Sequence, residues 1–141
     1  MLRRLHYVSP KGSAEMIAAK IGEETQTIKE ALLPAYMPEN IALMFLGCEG
    51  TKADKTTLEF IKTLNPKRVA TAALFCCNPK KNDAPIAQMK AALEARGVKV
   101  MNQTFVTTCK GFFGGKNPGD AECAEAKAFA QSVIKELFPD A

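Results

Sequence analysis

Ile41-Ala-Leu-Met-Phe-Leu46, closed by Gly47, is an unbroken apolar run of strand length. A half-exposed strand alternates apolar and polar residues, so a run without alternation points to a strand covered on both faces. Val69-Ala-Thr-Ala-Ala-Leu-Phe75 has the same character. A segment of helical period follows each run. After the first, Asp54 stands at the N-cap of a helix whose inner face is Thr57, Phe60, Ile61 and Leu64, stopped by Asn65-Pro66. After the second, Asp83 and Pro85 open a helix with Ile86, Met89 and Leu93 inward, Arg96 in its last turn and Gly97 at the C-terminal cap.

The same alternation extends outward in both directions. Toward the C-terminus, Val98 to Val106 reads as another strand, Thr107 to Gly119 as a glycine-rich loop, and Asp120 precedes a closing helix. That helix puts Ala126, Phe129, Ala130, Val133 and Leu137 on one face. Toward the N-terminus, Leu5, Tyr7 and Val8 end a buried strand, and Ala14, Ile17, Ala18 and Ile21 fall at helical spacing. Thr25-Gln-Thr-Ile-Lys29 reads as a short edge strand, and 31–40, with Pro34 and Pro38, as an irregular connection. Alternating strands and helices joined by right-handed crossovers make an α/β chain with a parallel sheet and helices on both faces. A length of 141 residues, 47% of them hydrophobic, suits one core, so residues 1–141 are expected to form a single domain.

Composition narrows the function classes. No apolar run is long enough to cross a bilayer, and Arg3 and Arg4 are not followed by one. Five cysteines in no regular spacing fit reduced thiols rather than a secreted disulfide framework. A soluble cytoplasmic protein is the expectation. The net charge of +4 is modest and the lysines are dispersed, so neither a nucleic-acid nor a membrane partner is indicated.

Between the first strand and the first helix lies Ser9-Pro-Lys11-Gly12-Ser13-Ala14. A strand-loop-helix turn aims the unpaired N–H groups of the first helical turn at one point, beside the positive end of the helix dipole. That geometry binds phosphate, with a hydroxyl from Ser9, a charge from Lys11 and close backbone approach at Gly12. An ordinary strand-to-helix connection with Ser13 as N-cap accounts for the same residues. The loop lacks the Gly-Lys-Ser/Thr ending of a P-loop and the three spaced glycines of a dinucleotide fingerprint.

This loop, with Glu15-Met-Ile-Ala18 after it, resembles the FMN-phosphate loop of the flavodoxins, a hydroxyl-x-Thr-Gly-x-Thr pattern at the end of the first strand. Lys11 and Ala14 stand where that family has hydroxyl residues. The resemblance, to short-chain flavodoxins, implies a flavodoxin-like three-layer sandwich with five parallel strands in the order 2-1-3-4-5. The ligand then sits beyond the carboxyl ends of strands 1 and 3, where the strand order reverses. It further implies FMN bound through Ser9, Lys11, Gly12, Ser13 and Ala14. Loops at the ends of the third and fourth strands would hold the ring, through Gly47, Cys48 and Glu49 in one and Cys76, Cys77 and Asn78 in the other. Those loops lack the aromatic side chains usual in the family, and Phe75, Phe112 and Phe113 are the nearest candidates.

The resulting expectation is an FMN-dependent electron carrier working between a reductase and an acceptor, with no catalytic side chain of its own, because the cofactor supplies the redox chemistry. Two alternatives stand beside it. One is a flavodoxin-like binding module that has lost FMN. The other is a thiol or metal protein using Cys48, Cys76, Cys77 and Cys109, which the topology gathers at neighbouring strand ends. Cysteines are also common as inert buried side chains, and Cys123 reads as helix packing. His6 lies within a strand and reads as structural. No cysteine begins a Cys-x5-Arg phosphatase motif, and Cys48 and Glu49 stand where a receiver domain needs its aspartate.

Overall fold

The computed structural model describes residues 5–9, 25–27, 41–49, 52–53, 55–78, 82–107 and 120–137. The chain folds as a parallel α/β structure. The described strands are β1 (Leu5–Ser9), β2 (Thr25–Thr27), β3 (Ile41–Glu49), β4 (Val69–Cys77) and β5 (Lys99–Thr107). The described helices are α1 (Lys55–Lys62), α2 (Ala84–Ala95) and α3 (Asp120–Leu137). β1 pairs in parallel with β2 on one side and β3 on the other; β3 pairs with β4, and β4 with β5. Of the edge strand expected over 25–29, Thr25–Thr27 is a strand, and 28–29 lie outside the described residues. The expected helix over 14–21, the irregular 31–40 and the Asp54 cap lie outside the described residues.

The two apolar runs are covered on both faces, as runs without alternation require. Met44, Leu46 and Cys48 of β3 and Ala72, Leu74 and Cys76 of β4 join Phe60, Ile61, Leu64, Ile86, Met89 and Leu93 in one core cluster. Leu43, Phe45, Ala73 and Phe75 join Met101, Phe105, Ala126, Phe129, Ala130 and Val133 in a second. Successive strand residues thus serve opposite layers: α1 and α2 cover one face, α3 the other. Three phenylalanines tie α3 down. The Phe129 ring meets Phe45 edge-on at a centroid distance of 5.8 Å and stacks on Phe105 at 5.7 Å. Along β5 the register slips: β4 advances from Ala72 to Leu74 while β5 advances from Val100 to Thr104. Such an irregularity bends the strand it lengthens.

The connections use local hydrogen bonds. Asn65 Oδ1 accepts from Lys67 N at 2.9 Å and Arg68 N at 3.1 Å, turning the chain from α1 into β4. At the end of α2, Gly97 takes φ +84°. Its N–H donates to Glu94 O at 3.0 Å, and the Val98 N–H donates to Leu93 O at 3.1 Å, the paired bonds of a Schellman motif. The helix itself ends at Ala95, with Arg96 at the C-cap rather than in the last turn, where its Nε donates to Leu64 O at 3.0 Å. A side chain at position 97 is strained in this conformation, so Gly97→Ala is expected to lower the unfolding free energy by about 1 kcal/mol, read in urea. A neutral result would contradict the cap's dependence on glycine. Among the described residues, no helix is long and apolar enough to cross a membrane.

Candidate functional site

Parallel pairing sends the carboxyl ends of all the strands to one edge of the sheet, and there it collects the residues singled out from sequence. Ser9 is the last residue of β1 and pairs with Thr27, the last of β2. Val8 pairs with Leu46, so continuing the register by one residue brings Ser9 level with Gly47. On β3, Gly47, Cys48 and Glu49 pair with Phe75, Cys76 and Cys77 of β4, and Cys76 and Cys77 pair in turn with Val106 and Thr107. Asn78 follows directly, its N–H donating to Thr107 O at 3.2 Å. Seven candidate residues on three strand ends therefore share one edge: Ser9, Gly47, Cys48, Glu49, Cys76, Cys77 and Asn78. Lys11, Gly12, Ser13 and Ala14 lie outside the described residues, as do Cys109, Phe112 and Phe113.

Several placements differ from the sequence reading. Gly47 does not stop β3, and Cys48, Glu49, Cys76 and Cys77 are not in loops; β3 continues to Glu49 and β4 to Cys77 because the two strands go on pairing residue for residue. Cys48 and Cys76 are buried in the core cluster under α1 and α2. Phe75 is a core side chain in the α3 layer, fully buried. It also explains Gly47: a Cβ built at that position would overlap ring carbons Cε2, Cζ and Cδ2 of Phe75. A glycine inside a strand marks such a close approach.

Asn78 serves the chain's own turn. Its side chain is fully buried, with Nδ2 donating to Asn82 O at 2.8 Å and Oδ1 accepting from Asn82 N at 2.8 Å. The Cys76 thiol donates to the same carbonyl, Asn82 O, at 3.5 Å. Asp83 is the N-cap of the next helix, as the sequence places it, but makes no side-chain cap bond; the residue before it, Asn82, supplies one, its Oδ1 accepting from Ala84 N at 2.8 Å. The segment after β3 is held to the same helix: Ala53 N donates to Gln88 Oε1 at 2.6 Å. Asn82 and Gln88 thus brace the edge from behind. The Asn-Asp pair before Pro85 marks the cap position but not which of the two side chains bonds the helix amide; nothing in the sequence links Gln88 to Ala53, 35 residues away.

No model of a known protein family matches this chain, and no curated protein is significantly similar to it. Its chemistry must be read from the edge itself. Among the described residues, no group of three or more His, Cys, Asp or Glu side chains is placed to hold a metal ion. What the edge offers is backbone. The ends of β1 and β3 lie side by side, and the space a side chain at position 47 would take is filled by the Phe75 ring, so Gly47 adds only peptide groups to this edge.

Proposed function

We propose that this chain is a flavodoxin-like protein that binds FMN and carries electrons between a reductase and an acceptor protein in the cytoplasm. The fold reading is a three-layer sandwich with five parallel strands in the order 2-1-3-4-5. Supporting it are the pairings of β1 with both β2 and β3, the onward pairing through β4 to β5, and cores on both faces of the sheet. The observation that carries the functional reading is the position of β1. Because its neighbours are β2 and β3, the chain's winding reverses beside it, and ligands of such parallel sheets bind beyond the carboxyl ends of the two strands flanking that reversal, here β1 and β3. Ser9 is the last residue of β1, and the phosphate-like sequence Pro10 to Ala14 follows it directly.

In this reading the backbone amides after Ser9, with the Lys11 charge, hold the phosphate, and the strand ends at Gly47–Glu49 and Cys76–Asn78 border the ring. The flavin supplies the redox chemistry; the protein fixes and polarises it. Lys11→Glu tests the phosphate assignment. Reversing the charge is expected to weaken FMN binding at least about tenfold, some 1.4 kcal/mol, while leaving the affinity for riboflavin, which has no phosphate, within twofold. Equal losses for both ligands, or no loss for FMN, would remove Lys11 from the phosphate site.

A further inference from the structure

Cys48 and Cys76 are direct partners in the parallel register of β3 and β4. Both are fully buried, both belong to the core cluster beneath α1 and α2, and neither is in a disulfide. Membership of one cluster puts the two side chains on the same face of neighbouring strands. Strands in a sheet run about 4.8 Å apart, inside the roughly 4.4–6.8 Å span of Cα separations that a disulfide bridges. We propose that Cys48 and Cys76 are a redox pair that closes to a disulfide on exposure to a small peroxide and reopens with thiol reductants. The inference does not depend on the flavin reading.

The step balances with hydrogen peroxide as oxidant. One sulfur, as thiolate, attacks a peroxide oxygen; the O–O bond breaks, an S–O bond forms, and the departing hydroxide is protonated to water. The second sulfur attacks the first, forming the S–S bond and breaking the S–O bond, and a second water leaves. Two electrons pass from the sulfurs to the peroxide. The product is neutral, as an apolar cluster requires. A small oxidant suits the site because the pair lies next to last on β3 and β4, where strand ends open locally at lower cost than the sheet centre. Oxidation also removes the thiol hydrogen that Cys76 donates to Asn82 O, leaving that carbonyl to Asn78 Nδ2. The sulfur pair is therefore linked to the turn that joins β4 to α2.

The test is peroxide treatment of the full-length protein, followed by alkylation in denaturant, digestion without reductant and mass spectrometry. The expected result is a dithiothreitol-reversible bridge between the peptide holding Cys48 and the peptide holding Cys76, with fragmentation between Cys76 and Cys77 assigning the sulfur. The variant Cys77→Ala/Cys109→Ala/Cys123→Ala is expected to form the same bridge. Full alkylation of Cys48 and Cys76 after peroxide, or bridges that bypass both, would overturn the pair. In the bridged protein the Asn82 amide is expected to exchange with solvent at least threefold faster; an unchanged rate would overturn the link to the turn.

Discussion

Phe45→Ala is expected to lower the unfolding free energy by about 3–5 kcal/mol, the range for removing a buried aromatic side chain. Phe45 lies on the central strand β3 and is fully buried, so neither solvent nor a neighbouring side chain readily fills the space it leaves. Its ring also meets Phe129 edge-on, a contact worth about 0.5–1.5 kcal/mol beyond area burial. Small domains are stable by only about 5–15 kcal/mol, so this one change takes a large share of the total. Denaturant unfolding followed by far-ultraviolet circular dichroism reads the effect, and a loss below about 1 kcal/mol would contradict the assignment of Phe45 to the α3 layer.

Gly47→Ala is the second large effect. One added methyl group overlaps the Phe75 ring, which is itself fully buried and has no open side to move toward. Overpacking of this kind costs about 1–3 kcal/mol, and a backbone-borne Cβ on a central strand belongs at the top of that range. The control is the same substitution in a Phe75→Ala background, where the conflict is gone. There Gly47→Ala is expected to cost less than about 0.5 kcal/mol, a coupling that two independent sites would not show. If the cost is equal in both backgrounds, the ring does not account for the glycine.

These two residues show where the sequence was legible and where it was not. The unbroken run through Phe45 announced a strand covered on both faces, and the strand is there, because its apolar pattern reflects burial alone. In sequence Gly47 marks the end of that strand, since glycine in isolation disfavours extended structure. The reason for it lies 28 positions away in sequence, on a ring contributed by β4, and local pattern carries no information about a cross-strand partner. The same blindness placed Cys48 and Cys76 in loops, although their pairing keeps both strands going. At α2 the Asp83 and Gly97 caps are readable because they depend only on the first and last helical turns, whereas the side-chain bond from Asn82 to Ala84 N depends on the turn fixed by Asn78. Of the candidate site, the convergence of Ser9, Gly47 and Cys76 on one edge followed from parallel topology; the bracing by Asn78, Asn82 and Gln88 did not, because it rests on side-chain geometry.

The proposed function stands or falls on flavin binding at the edge where β1 adjoins β3. The direct measurement is titration of flavin-free protein with FMN, followed by quenching of flavin fluorescence and by recovery of bound flavin after gel filtration. The proposal predicts saturation at one FMN per chain, with riboflavin bound more weakly for want of the phosphate. Folded protein that leaves FMN fluorescence unchanged at millimolar flavin would contradict it.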